Sequence, residues 1–334
     1  MSSGKNRFER HPKKTIAFVF LVLFVLMNIV TKPLIPNSLT IPNPYYHHDL
    51  RPHAQSTLSW GNQPYMVRTN ALGFKDRGMR EVALQSDRYR ILFIGDSFTE
   101  GIGMPHEKTF VGLIEQDLEA SRFEVFNAGV SSYSPRLYYL KVKHLVEEVG
   151  LRFDEVRVYI DISDVQDEVI YRNYAPSPLS ITKRLDHIFT RNVYVYYALK
   201  KSEKLFRAYD GFARERGNWT HNAEVFEDWG KEGLALAQEN MNKLFQLCSM
   251  HGIKLTIAVY PWLNQIEQQD STAKPVSAWK EFARERGITF VNYFPHFINE
   301  TPAQEIRDMY FIKNDRHWNE RGHALIARHA GVAP

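Results

Sequence analysis

The sequence predicts an α/β fold built on a parallel sheet, and three observations carry that expectation. From residue 90 onward, short apolar runs alternate with helical stretches. Repeated β-then-α units imply a parallel sheet covered on both faces, with loops at the carboxyl ends of the strands. The first run, "ILFIGDSFTEG" (91–101), is four apolar residues stopped by a glycine, which reads as a buried strand arriving at a turn. At 334 residues the chain holds one large domain or two small ones, with ample length for a core.

Residues 1–14 carry Lys5, Arg7, Arg10, Lys13 and Lys14 against Glu9, so +5 − 1 = +4, which is the whole formal charge of the chain. The rest is close to neutral, which argues against a nucleic-acid binder, since that class concentrates positive charge on its folded part. Those charges precede "TIAFVFLVLFVLMNIV", apolar except for Thr15 and Asn28. At about 1.5 Å per residue such a run spans a hydrocarbon core of about 30 Å once its flanks join in. Residues 15–31 are therefore expected to be a transmembrane signal anchor behind a basic cytoplasmic tail, with the remainder outside the cytoplasm. "TKPLIPNSL" offers no cleavage site of small residues.

Residues 32–59 hold Pro33, Pro36, Pro42, Pro44 and Pro52, and read as a stiff linker. His47, His48, Asp49 and His53 lack the spacing of a fixed metal site and are read as part of that linker. The single cysteine, Cys248, excludes an intrachain disulfide and a cysteine-rich metal site. No metal or cofactor is expected.

The α/β domain is expected over residues 60–334. "YRILFIG" (89–95) leads to a helix at about 107–120, then "FEVFNAG" (123–129) and a helix at about 135–149. "EVRVYID" (155–161) follows; after an interval come a helix at about 230–251 and "KLTIAVYP" (254–261). A helix at about 276–287, "ITFVNYF" (288–294) and a helix at about 320–330 complete the series. Residues 168–225 interrupt the rhythm and are rich in tyrosine (Tyr171, Tyr174, Tyr194, Tyr196, Tyr197, Tyr209). They read as an insertion packed over or beside the site.

The ends of such strands are where open α/β sheets place their chemistry. Gly95–Gly103 fails the phosphate-loop pattern at Glu100, lacks the third glycine of a dinucleotide fingerprint, and has Thr99 where a nucleophile elbow needs glycine. Ser97 remains as a hydroxyl at a strand end, and a hydroxyl is a nucleophile only with a base beside it. "KNDRHWNERGHALIARHA" places Asp315 two residues before His317, and in an extended loop such residues project to one side. The carboxylate then meets the imidazole Nδ1. Asn319 is the expected N-cap of the last helix, on which His323 and His329 lie.

Gly95-Asp96-Ser97-Phe98 and Asp315-Arg316-His317-Trp318 resemble the first and last blocks of SGNH (GDSL-type) hydrolases. The resemblance covers roughly residues 60–330, including "RTNALGFKDR" (68–77), which is similar to the lead-in of membrane-anchored bacterial members. It implies a flavodoxin-like three-layer sandwich and a site that cleaves or transfers acyl esters. Ser97 is then the nucleophile, His317 the base and Asp315 its orienting partner, with backbone N–H groups of Ser97 and Gly129 in the oxyanion hole. The third block usually presents an asparagine where this chain has Ser163, in "DISD", so a shorter donor stands there. The last block usually places its acid where this chain has Asn314; the Asp-x-His-Trp spacing resembles the alginate-acetylation-related branch and favours Asp315.

Together these readings give a membrane-anchored extracytoplasmic serine esterase or O-acetyltransferase, acting on an acylated envelope glycan or another ester. A membrane-bound acyl-transfer partner would suit the transferase form. The alternative is a catalytically weak binding or scaffold protein on the same fold.

Overall fold

The computed structural model describes residues 11–35, 39–61, 63–118, 122–208 and 216–332. These fall into two compact units, one formed by Leu39–Pro178 with Arg214–Pro334, the other by Met1–Ser38 with Leu179–Ala213.

In the larger unit β1 (Thr40–Asn43) and β2 (His47–Leu50) form an antiparallel pair. The main sheet contains β3 (Gln55–Trp60), β4 (Gln63–Thr69), β5 (Lys75–Asp76), β6 (Tyr89–Gly95), β7 (Phe123–Asn127), β8 (Glu155–Ile160), β9 (Lys254–Val259) and β10 (Thr289–Asn292). Its order is β10-β9-β8-β6-β7-β5-β4-β3. The strands from β6 to β10 are parallel to their neighbours among themselves. Ranked along the chain they stand 2-1-3-4-5, the flavodoxin-like doubly wound order. Strands β3, β4 and β5 extend the β7 edge in antiparallel fashion.

Alternation along β6 feeds two cores, because successive side chains point to opposite faces. Leu92 and Ile94 join one core with Val156 and Val158, beneath apolar residues of the helices Pro135–Lys143, Lys231–Met250 and Lys274–Arg286. Ile91 and Phe93 join the other with Val125 and Tyr159, beneath the helices Phe110–Asp117 and Glu320–Arg328. The sheet is thus covered on both faces, and the strand and helix positions read from the sequence hold from β6 onward. Strand β6 lies between β7 and β8, so the chain leaves it where the winding direction reverses. That switch point is where this architecture opens a crevice for ligands.

The expected linker is corrected from Leu39 onward. Leu39, Tyr46, Leu50 and Ala54 are buried in the core, and β3 belongs to the main sheet. Asp49 accepts hydrogen bonds from Tyr46 Oη and Lys141 Nζ, each at 2.8 Å, and His48 Nε2 lies 2.9 Å from the Ser131 carbonyl. Pro42, Pro44 and Pro52 therefore belong to a folded edge rather than a spacer.

The smaller unit contains the helix Pro12–Thr31, a turn of 3-10 helix Lys32–Leu34, and the helices Ile181–Asn192 and Tyr194–Ala208. Residues Pro12–Leu34 are long and apolar enough to cross a membrane. The expected insertion is therefore divided. Leu179–Ala213 groups with the N-terminal segment, while the flanks remain with the sheet. Tyr209 and the basic residues Lys5, Arg7 and Arg10 lie outside the described residues.

Candidate active site

Strand β6 ends at Gly95, and a Cβ there would stand 2.1 Å from Thr99 Oγ1 and 2.8 Å from the Tyr159 carbonyl. Glycine lets the short helix Ser97–Glu100 start directly against β8. Asp96 caps it, accepting the Phe98 N–H at 2.9 Å. Ser97 takes the first helical position, nine-tenths buried, at the switch point of the sheet.

His317 reaches Ser97 from the other end of the chain, with Nε2 2.9 Å from Ser97 Oγ. Asp315 Oδ1 lies 2.5 Å from His317 Nδ1 and also accepts the His317 backbone N–H at 2.8 Å. One carboxylate thus fixes both the loop and the ring. The structure brings Ser97, His317 and Asp315 into one hydrogen-bonded line. Asn314 turns through a φ of 60° beside them and has no contact with the imidazole among the described hydrogen bonds.

The loop is pinned on both sides. Asn319 Oδ1 accepts the Arg321 and Gly322 N–H groups, capping the last helix, and its Nδ2 donates to the carbonyls of Met309 and Phe311. Trp318 is fully buried and meets Phe98 and Tyr260 edge-on at 4.8 and 4.7 Å. The imidazole itself lies between Phe98, 4.9 Å away, and Trp60, 5.4 Å away. Burial raises the Asp315 pKa, but hydrogen bonds from His317 and Trp60 outweigh it and hold the group down at about 2. Trp60 is a site residue that the sequence did not reveal; it ends β3, at the first residue of the expected domain, and no local motif marks it.

Two expected oxyanion donors have other partners. The Gly129 N–H donates to Asn127 Oδ1 at 3.1 Å. Glycine at 129 answers a steric need: a Cβ would stand 2.5 Å from the Glu100 nitrogen. Ser163 departs further, for its N–H and its Oγ both donate to Asp161 Oδ1, at 2.8 and 2.5 Å. The hydroxyl is bonded to a carboxylate, which corrects its expected place as a third donor.

Beneath the serine lies a buried group of acids. Ser97 Oγ is 2.9 Å from Asp96 Oδ2, and Tyr260 Oη donates to Asp96 Oδ1 at 3.3 Å. Trp262 Nε1 donates to Asp161 Oδ2 at 2.7 Å, while Asp164 Oδ2 accepts Tyr138 Oη at 2.8 Å. Burial, and then the charge of Asp161, raise the pKa of both Asp96 and Asp164 well above the carboxylate range. Asp167 is pushed up by burial to about 7 even though it pairs with Arg216. Oxygens of Asp96, Asp161 and Asp164 fall within 4.8 Å of one another, close enough to consider a cation. Each carboxylate is already engaged by N–H or O–H donors, and that donor set fits shared protons better than a hard metal ion.

His323 and His329 occupy the last helix and its C-terminal cap, as expected. His323 is buried, which pulls its pKa down to about 3, and its Nδ1 accepts the Phe110 N–H at 3.2 Å. It is a packing residue. A polar cavity of about 940 Å³ opens beside Asp315, lined by Trp262, Gln304, Arg307, Asp308, Lys313 and Arg316 among others. Ser97 and His317 are not in its lining. From the insertion, Trp219 packs beneath this region, its Nε1 donating to the Ile162 carbonyl at 2.8 Å.

No protein-family model and no curated protein matches this chain. Similar solved structures include an acetylxylan esterase from Geobacillus stearothermophilus, 17% identical with a TM-score of 0.43, covering 75% of this chain and 98% of that one. The psychrotrophic esterase EstA from Pseudoalteromonas sp. is 12% identical with a TM-score of 0.42, covering 72% and 93%. A GDSL-like lipase from Bacteroides thetaiotaomicron is 12% identical with a TM-score of 0.40, covering 75% and 89%.

Proposed function

We propose that this chain is a membrane-anchored serine acyl-ester enzyme of the SGNH (GDSL-type) kind, with Ser97 as nucleophile, His317 as general base and Asp315 as its orienting partner. The observation that carries the reading is the continuous line from Asp315 Oδ1 through the imidazole to Ser97 Oγ, at 2.5 and 2.9 Å. A serine at a strand end has no reason to meet a carboxylate-held histidine 220 residues away unless the three act together.

The geometry supports the following steps. Ser97 Oγ attacks the acyl carbonyl while His317 Nε2 takes its proton, and Asp315 stabilises the imidazolium. In this reading the Ser97 N–H donates to the developing oxyanion, joined by the Gly129 N–H once it releases its bond to Asn127. His317 then returns the proton to the leaving alkoxide. The acyl-serine is discharged by water or by an acceptor hydroxyl, whose proton passes to His317 and back to Ser97 as the new product leaves. Hydrolysis and acyl transfer share every step but the identity of that acceptor.

The anchor reading rests on the apolar helix Pro12–Thr31 behind basic residues, which directs the N-terminus to the cytoplasm and the sheet-bearing unit outside. The polar cavity beside Asp315, with Trp262 and three cationic side chains in its lining, suits a hydrated glycan better than a lipid chain. One observation favours the scaffold reading instead: Ser163 is bound to Asp161 and gives the oxyanion nothing.

An activated acetyl ester separates the two. The full chain in detergent should turn it over and carry a transient acetyl adduct on Ser97 by mass spectrometry. Absence of both, with the protein folded, would establish the scaffold.

A further inference from the structure

The smaller unit holds an apolar surface that the ester chemistry does not use. Its helices Ile181–Asn192 and Tyr194–Ala208 contain no fully buried residue among those whose side chains are described. Ile181, Leu185, Ile188 and Phe189 are exposed, Ile181 at 74%. Their spacing of i, i+4, i+7 and i+8 places them on one face of the first helix. Val195 and Leu199 continue the pattern on the second, Leu199 at 63% exposed. Six large apolar side chains in solvent on one short hairpin form a patch of the kind that marks an interaction surface.

The hairpin is tied to one level of the apolar N-terminal helix. The Tyr194 N–H donates to Asn28 Oδ1 at 3.2 Å, and Lys32 Nζ donates to Asn192 Oδ1 at 3.3 Å. Asn28 and Lys32 lie at the C-terminal end of the helix Pro12–Thr31. The anchor reading puts that end at the outer face of the membrane, about 30 Å from its start. Residues 181–208 also carry seven Lys and Arg against Asp186 and Glu203, so +7 − 2 = +5. An amphipathic, basic hairpin held at the level of the headgroups has the composition of an interfacial element.

We propose that the hairpin 181–208 lies in the outer headgroup region of the same bilayer that Pro12–Thr31 crosses, apolar face down, with its cations toward anionic phospholipid. The occupant of the exposed face is therefore lipid. Continuity with the membrane helix argues for it, since hydrogen bonds at Asn28 and Lys32 fix the hairpin at that depth. The inference rests on the anchor reading and adds a second, in-plane attachment to it.

Single cysteines at Phe24, Ile188 and Lys183, in a Cys248→Ala background of the full chain, test both readings in one experiment. Each is labelled with an environment-sensitive fluorophore and reconstituted into phosphatidylcholine vesicles containing phosphatidylglycerol. Lipids bearing a spin label near the headgroup or deep in the chain then act as quenchers. Phe24 should be quenched best by the deep label. Ile188 should be quenched best by the shallow one, at least about threefold more than Lys183, which lies off the apolar face. Deep quenching at Phe24 with Ile188 as accessible to aqueous iodide as Lys183 would overturn the interfacial hairpin and leave the anchor standing. Absence of lipid quenching at Phe24 would overturn the anchor and the hairpin together.

Discussion

Ser97 Oγ stands 2.9 Å from both Asp96 Oδ2 and His317 Nε2, with one proton to give. Because burial and Asp161 raise the Asp96 pKa, Asp96 can hold a proton of its own and donate it to the serine, leaving the serine proton for His317. Asp96→Asn, which keeps a donor, should then retain more ester turnover than Asp96→Ala by about tenfold, measured as kcat. Ser97→Ala and His317→Ala should each remove nearly all turnover, and the double variant should be little worse than either. Asp315→Asn should fall by about 10⁴-fold, as expected for a ring left in the wrong tautomer, whereas Asn314→Ala should stay within about tenfold of the parent. A severe Asn314 defect with a mild Asp315 one would reassign the acid. The same buried acids set a pH dependence. Asp164 and Asp167 have folded pKa values raised above 3.8, Asp167 to about 7, so the native state binds more protons than the unfolded one across that window. Stability should therefore fall as pH rises from about 4 to about 7. Asp164→Asn keeps acceptors for Tyr138 and the Asp161 N–H while removing the charge. It should raise the Tm at about pH 8 and flatten the profile, a gain on the order of 1 kcal/mol. An unchanged slope would mean that Asp164 is not the group that titrates.

Elements hold these residues in place, and they differ in how far local sequence specifies them. The Lys141–Asp49 pair joins the helix Pro135–Lys143 to β2, with both side chains almost wholly buried. Lys141→Ala would strand the Asp49 charge and should cost about 3–5 kcal/mol in denaturant unfolding, loosening the segment from Leu39 to Trp60. A loss near zero would show that this segment folds independently of the helix. The elements from β6 onward were legible because apolar runs of strand length alternate with amphipathic helices, a local signal. Strands β3 to β5 were not: most of β3 falls in the segment 32–59 whose prolines and histidines read as linker, and the β3–β4 hairpin joins the sheet only through β5, whose partner Asn127 lies far along the chain. The triad was legible for a related reason. Ser97 and the Asp315–His317 pair each sit on a turn that their own neighbours dictate, the Asp96 cap in one case and the Asn319 cap in the other. Trp60 and the partners of the oxyanion region were hidden. The Gly129 bond to Asn127 and the Ser163 bond to Asp161 are side-chain choices that become visible only once the turns are built.

The whole molecule holds a doubly wound sheet with a serine at its switch point and a second, helical unit whose N-terminal helix is long and apolar enough to cross a membrane. The full chain should fractionate with membranes and resist extraction by high salt, and protease added outside the cytoplasmic compartment should digest its C-terminal portion. Release by salt alone would contradict a spanning helix. The central claim concerns the serine, and its most direct measurement is covalent labelling of the full chain by a fluorophosphonate, followed by peptide mass spectrometry. Only an activated serine attacks phosphorus at a useful rate, because an ordinary hydroxyl remains protonated and weakly nucleophilic. The account predicts one adduct, on Ser97, abolished by His317→Ala while the fold is retained. A folded chain left unlabelled at Ser97, or labelled equally well without His317, would contradict it.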